Sequence, residues 1–145
     1  MQVTKIMNIQ LKHHITVTEY NDIRKSVDWL TLPEVQAERG LKNTYYLVAA
    51  VHEDKAIGMA RVISDGGYVV YISDVIVNPA YQSFGIGKLM MEDIMNFLKT
   101  DIAKEYPVMI NLMAAFGKEN FYEKFGFKVR PSVDTGAGMF QWLNL

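Results

Sequence analysis

One stretch limits what this chain can fold into. Tyr71 to Thr100 reads YISDVIVNPAYQSFGIGKLMMEDIMNFLKT. Ile72–Val77 is apolar and β-branched, the composition of a buried strand. Asn78-Pro79 stops it, since proline has no N–H for a ladder. A glycine-bearing turn, Gln82 to Lys88, then opens a helix predicted over about 86–100. Ile86, Met90, Ile94 and Leu98 recur at steps of four, with Leu89 and Phe97 beside them, as one apolar face of an amphipathic helix.

A strand, a glycine turn and a helix start together make an anion site. The first N–H groups of a helix lack internal partners, and the dipole places about half a positive charge there. Gly85 and Gly87 keep side chains out of the way, and Lys88 adds a cation. The spacing is not that of a P-loop, and Met90 stands where a dinucleotide fingerprint needs its third glycine. The local chemistry implies a phosphate or pyrophosphate without naming the ligand.

At 145 residues the chain is expected to form a single domain, residues 1–145. Half the residues are hydrophobic, enough for a substantial core, and the net charge of −1 gives no general attraction to nucleic acid or anionic membrane. The start of the chain lacks the apolar core of a signal peptide, so the expected location is the cytoplasm. With no cysteine in the sequence, disulfides, cysteine-zinc sites and a cysteine nucleophile are excluded within this chain.

Residues 5–11 read as a first strand ending at Lys12-His13-His14. The histidine pair is read as an exposed strand end, and no metal is expected. Thr16-Val17-Thr18-Glu19 fits a capping box for a helix over about 17–28, with Tyr20, Ile23 and Val27 buried. Thr31-Leu32-Pro33-Glu34 fits a second, for a helix stopped near Gly40. Residues 44–52, 55–63 and 68–77 form an antiparallel meander. Pro107–Met113 follows the 86–100 helix as a strand, which implies parallel pairing with 68–77. A short helix near 117–125 ends at Gly126, and two strands near 127–130 and 138–144 finish the chain.

Val75-Ile76-Val77, Pro79 and Gln82-x-x-Gly85-x-Gly87 resemble the central motif of the GNAT acetyltransferase superfamily, [QR]-x-x-G-x-[GA] after a strand. Phe121-Tyr122-Glu123-Lys124-Phe125-Gly126-Phe127 is similar to that family's F-Y-x-x-x-G-F segment. The resemblance covers roughly residues 45–143. It implies an α/β fold with a mixed, mostly antiparallel sheet of about six to seven strands, about four flanking helices and one splayed parallel strand pair. It also implies acetyl-CoA as cosubstrate and an N-acetyltransferase acting by direct ternary-complex attack. The acceptor is expected to be a primary amine of a small molecule. A protein lysine or N-terminal amine, and a non-catalytic acyl-CoA sensor, are the alternatives.

Carried over residue by residue, the resemblance puts the pyrophosphate among Gln82, Ser83, Phe84, Gly85, Ile86, Gly87 and Lys88. Backbone contacts of the preceding strand fall on Val75, Ile76 and Val77, where an N–H near a bulge polarises the thioester carbonyl. Tyr122 is the candidate general acid, or else one of an aromatic cluster with Phe121, Phe125 and Phe127. Many members carry asparagine and alanine where this chain has Ala115 and Lys118. Asp74, inside an apolar strand, is costly unless paired or functional. It holds an ammonium or helps deprotonate it through water, as amine-acetylating members suggest; otherwise it bonds to backbone or to Arg61. Trp29, between the first two helices, is a wall of the acceptor pocket or a packing residue. Met139, Phe140 and Trp142 supply a homodimer interface or lie in an ordinary core strand.

Overall fold

The computed structural model describes residues 8–145. The chain divides into two compact units, one ending at Leu112 and one spanning Met113–Leu145.

The first unit is built on a five-stranded sheet, with strands adjacent in chain order: β1 (Gln10–Lys12), β2 (Tyr46–His52), β3 (Lys55–Ser64), β4 (Val69–Val77) and β5 (Met109–Leu112). β1 to β4 pair antiparallel, and β4 pairs with β5 in parallel. Glu53 and Asp54, both at positive φ, make the two-residue turn between β2 and β3, the geometry that matches strand twist. At the next turn Gly66 adopts φ 86° while the Ser64 hydroxyl donates to the Val69 carbonyl at 2.7 Å.

Helices cover both faces, so β2 and β3 are almost continuously buried. On one face lie α1 (Val17–Ser26) and α2 (Glu34–Lys42), whose Tyr20, Ile23 and Ala37 join Leu47, Ala49, Met59 and Ile76 in one apolar cluster. The other face carries α3 (Ile86–Thr100), with Ile86, Met90, Met91, Ile94 and Leu98 buried. Leu89, expected beside that face, is 38% exposed, and Met91 takes the place. Gly58 on β3 lies under α3: a Cβ there would meet the Ile76 carbonyl oxygen at 3.1 Å and Met90 Cε at 3.4 Å.

The Thr16–Glu19 capping box forms in full. The box expected at Thr31 does not. Pro33 is the N-cap of α2 without a side-chain bond, and the Asn21 amide grips both the N–H and the carbonyl of Leu32 at 2.9 Å each. Gly40 does not stop α2, which runs on to Lys42; its carbonyl instead receives Arg61 Nη1 at 3.1 Å. Of the first expected strand, residues 5–7 lie outside the described residues.

The second unit holds α4 (Glu119–Glu123), ended by Gly126 at φ 92°. The strands expected near 127–130 and 138–144 are not formed, so the sheet has five strands rather than six to seven. Pro131 lacks an N–H, and the chain around it bonds locally. Ser132 N–H donates to the Thr135 carbonyl at 3.1 Å, and Arg130 Nε to the Gly136 carbonyl at 2.7 Å.

Gly58→Val adds bulk between β4 and α3 where nothing can recede without moving Met90. Urea unfolding is expected to show a loss of about 1–3 kcal/mol. An unchanged midpoint would mean that α3 rides higher above the sheet than described.

Candidate active site

Two antiparallel partners go out of step in the middle of β4. Met59 pairs with Ile76 and Arg61 with Ser73, so Ala60 faces both Asp74 and Val75. That is a β-bulge, with Asp74 at φ 54° in the left-handed region. The parallel ladder with β5 ends at Ile72–Leu112, whereas β4 continues to Val77. The β5-facing backbone of residues 73–77 therefore has no ladder partner among the described residues. The expected parallel pair is formed, over Val69–Ile72 of β4 and Met109–Leu112 of β5.

The bulge is held by its own side chain. Asp74 Oδ1 accepts from Arg24 Nη1 at 3.0 Å, and Oδ2 accepts from Arg61 Nε at 2.8 Å and the Tyr20 hydroxyl at 2.7 Å. The carboxylate is 7% exposed and the two guanidinium side chains 9% and 11%. Arg24 Nε donates to the Leu30 carbonyl at 2.6 Å, and its guanidinium lies 5.6 Å from the Trp29 ring centroid. Asp74 and Trp29 are thus brought to one cluster through Arg24. Trp29 remains 40% exposed.

Of the readings open for Asp74, this geometry favours the paired carboxylate. Both of its oxygens are occupied, one by Arg24 and the other by Arg61 and the Tyr20 hydroxyl. Arg24 and Tyr20 were legible only as positions. They stand four residues apart on α1, and an arginine beside the buried Ile23 signals a charge needing a buried partner.

After β4, the Asn78 side chain caps a 3-10 turn, Pro79–Tyr81, through the Ala80 N–H at 3.0 Å. Gln82 Nε2 donates back to the Val77 carbonyl at 3.0 Å, tying the turn to the strand end. Ser83 and Gly85 both adopt positive φ, 71° and 78°. Gly85 is the N-cap of α3, with no side chain capping the first turn. A Cβ on Gly85 would meet nothing within 4 Å. Lys88 is well exposed, with Glu92 Oε1 at 3.6 Å. Ile86 is buried and acts through its backbone alone, whereas Phe84 is half exposed.

In the second unit, Tyr122 is 8% exposed and lies edge-on to Phe121 and Phe127. Burial pushes its phenol up to about 12. The aromatic cluster and the candidate acid are therefore the same residue. Lys118 is the N-cap of α4 without a side-chain bond, and its N–H donates to the Ala115 carbonyl at 2.9 Å. In the first unit, a ring nitrogen of His13 bonds the Leu47 carbonyl at 2.9 Å, in keeping with a strand-end role.

A bulged strand with an open edge thus leads into a glycine-capped helix start. The chain belongs to the acetyltransferase (GNAT) family, whose domain model matches residues 19–139. It is similar to the uncharacterized N-acetyltransferase ycf52 of Pyropia yezoensis, 30% identical over 88% of this chain and 72% of that protein. It also resembles the chloroplastic GCN5-related N-acetyltransferase 2 of Arabidopsis thaliana, 32% identical over 84% of this chain and 54% of that protein. Among solved structures, a probable acetyltransferase from meticillin-resistant Staphylococcus aureus superposes with a TM-score of 0.82. It is 31% identical, and the match covers 94% of this chain and all of that one. The chain is an N-acetyltransferase of this family.

Removing the shared anion from two buried guanidinium groups leaves them unpaired. Asp74→Ala is expected to lower stability by about 3–5 kcal/mol, read from denaturant midpoints. A loss below about 1 kcal/mol would show that the network is solvated and weak.

The phenols of Tyr20, Tyr46, Tyr71 and Tyr122 are all raised, burial being the largest cause in each. Above about pH 10 the unfolded chain loses these protons while the folded chain keeps them. The folded state then binds more protons, so stability from these groups is complete below pH 10 and falls as pH rises. Melting temperatures across pH 8 to 11.5 should decline beyond 10; a flat profile would contradict the burial of these phenols.

Proposed function

We propose that the chain transfers the acetyl group of acetyl-CoA to a primary amine of a small molecule, by direct attack in a ternary complex. The observation that carries this reading is the bulge at Asp74–Val75, on an open strand that leads into the uncapped start of α3. The residues fit such a cosubstrate. The first-turn N–H groups of α3, Gly85 to Lys88, suit a pyrophosphate, and Gly85 leaves room for it. Gln82, Ser83 and Phe84 shape the approach. The unpaired edge of Val75, Ile76 and Val77 suits an amide-bearing arm, which can add to it as a strand would.

The bound thioester supplies the activated acyl group; the rest is the work of this chain. A backbone N–H at the bulge donates to the carbonyl oxygen as negative charge develops there. Asp74 acts as a positioning residue: it fixes the left-handed kink that aims that N–H. Trp29, stacked on Arg24, forms a wall for the acceptor. With Asp74 occupied, the amine loses its proton to solvent rather than to a protein carboxylate. By resemblance to the family's F-Y-x-x-x-G-F segment, Tyr122 is the residue assigned to donate a hydrogen bond to the departing sulfur. A phenol near 12 is a weaker acid than a thiol near 8.5, so it stabilises the thiolate more readily than it surrenders its proton. A cytoplasmic location is part of the proposal; no described helix is long and apolar enough to cross a membrane.

Two variants separate donor binding from chemistry, with amines screened by release of free thiol. Gly85→Val forces a branched residue into positive φ; it should raise KM for acetyl-CoA about tenfold or more, about 1.4 kcal/mol, and lower the melting temperature by several degrees through about 1–2 kcal/mol of backbone strain. Tyr122→Phe should retain coenzyme binding in a thermal-shift titration while kcat falls roughly a hundredfold. Full turnover in Tyr122→Phe would remove that residue from the mechanism. No thermal shift with coenzyme A at near-millimolar concentration would overturn the donor site.

A further inference from the structure

Arg24 is a buried cation beside Trp29, and one corner of it is unused. Its side chain is 9% exposed. Nε donates to the Leu30 carbonyl and Nη1 to Asp74. The remaining nitrogen, Nη2, makes no hydrogen bond among the described residues. No side-chain nitrogen or oxygen among those residues is fully buried without a partner. Nη2 therefore reaches solvent, through a small opening in an otherwise enclosed group.

A donor held in that way suits an anion. Water screens a mostly desolvated charge less than a surface one, so a charge-assisted bond there is worth more. The planar fork of arginine also matches a carboxylate. Asp74 has no oxygen to spare for Nη2: Oδ1 accepts from Nη1, and Oδ2 from Arg61 and Tyr20. The surroundings add an apolar component. The guanidinium carbon lies 5.6 Å from the ring centroids of both Tyr20 and Trp29, and Trp29 and its neighbour Leu30 are exposed. Arg61 is placed differently. Its Nη1 goes to the Gly40 carbonyl and the Thr44 hydroxyl, so Arg24 is the guanidinium that adjoins Trp29.

We infer, building on the acetyl-transfer reading, that the acceptor carries a carboxylate as well as its primary amine, and that Arg24 Nη2 binds it. An amino acid with an apolar or aromatic side chain fits this description, its side chain laid against Trp29 and Leu30. Arg24 is then a specificity residue. Its bond to Asp74 refers the acceptor to the same bulge that faces the donor carbonyl. The carboxylate takes no part in the transfer. The amine nitrogen forms the amide bond, the C–S bond breaks with its electrons on sulfur, and the amine proton goes to solvent.

Pairs that differ by one carboxylate test this with the full chain: phenylalanine against phenethylamine, and leucine against isoamylamine, with acetyl-CoA and release of free thiol as the readout. The acid is expected to be favoured in kcat/KM by roughly ten- to a hundredfold, the scale of one hydrogen bond to a charged group. Arg24→Gln should lower that ratio by about tenfold or more, whereas damage to the bulge alone would slow both members alike and leave the ratio unchanged. A second measurement needs no variant and is free of the differing basicity of the amines. In the presence of coenzyme A, N-acetylphenylalanine should raise the melting temperature more than N-acetylphenethylamine does. Equal shifts, or an unchanged ratio in Arg24→Gln, overturn the carboxylate. A preference for phenethylamine overturns it too, and assigns recognition to Asp28, the exposed acid next to Trp29. A chain with no thermal shift on coenzyme A itself fails the acetyl-transfer reading instead.

Discussion

Four elements of the first unit meet at one carboxylate. Asp74 of β4 binds Arg61 of β3 and both Tyr20 and Arg24 of α1, and Arg61 reaches on to the Gly40 carbonyl of α2. Two buried cations share one anion, which on charge count alone leaves an excess. The helices supply the balance. Arg24 lies in the last turn of α1, and the Gly40 carbonyl belongs to the last turn of α2. Each helix C-terminus is worth about half a negative charge, so two of them together offset about one cation. Arginine is the residue that can do this, since a guanidinium binds a carboxylate and a carbonyl at once through a rigid fork. Arg24 does so with Nη1 on Asp74 and Nε on Leu30, and Arg61 with Nε on Asp74 and Nη1 on Gly40 and Thr44.

Geometry is the main product of that network. Buried ion pairs add little net stability compared with apolar packing of equal volume, but breaking one is costly. A non-glycine residue held at φ 54° is also strained unless its surroundings fix it. Here the side chain of the strained residue is the one that three partners hold. Asp74 is therefore bound where the kink needs it, and Val75 follows with its backbone turned out of register with β3. The parallel ladder with β5 stops at Ile72, two residues before Asp74.

Most of this frame is legible in the sequence, because it rests on local rules. α3 spans Ile86–Thr100, the limits read from the periodicity of Ile86, Met90, Ile94 and Leu98. Gly85 is the left-handed cap that a glycine at that point implies, and the meander and the parallel crossover follow from turn and loop lengths. What is not legible depends on distant partners. Asp74 reads equally well as a functional acid or a paired one, because Arg24 is 50 residues away. Gly40 reads as a helix stop because glycine usually is one; only the position of Arg61 shows why its carbonyl is used instead. The Thr31 box fails because Asn21 takes both backbone groups of Leu32. The two terminal strands have the right pattern but no ladder, and a strand pattern states only that a partner is needed, never which one.

The two ends of α3 are treated in opposite ways, and this gives the helix its orientation in the site. Its C-terminal half is fastened: Phe97 stacks on Tyr46 with ring centroids 3.8 Å apart, the Tyr46 hydroxyl donates to Asp93 at 2.7 Å, and the Tyr45 hydroxyl to Asp101 at 2.9 Å. Its N-terminus has no side-chain cap and no acidic residue in the first turn. A helix stabilised for its own sake would carry Ser, Asp or Thr at that cap, worth a few tenths of a kcal/mol, roughly, over glycine. Placing glycine there gives up that stabilisation and leaves bare N–H groups aimed at solvent. Anchoring by Phe97, Asp93 and Asp101 holds those groups at a fixed height beside the end of β4. An anion bound at the N-terminus is thereby referred to the same frame as the bulge at Asp74, because β4, α3 and the network under them belong to one unit.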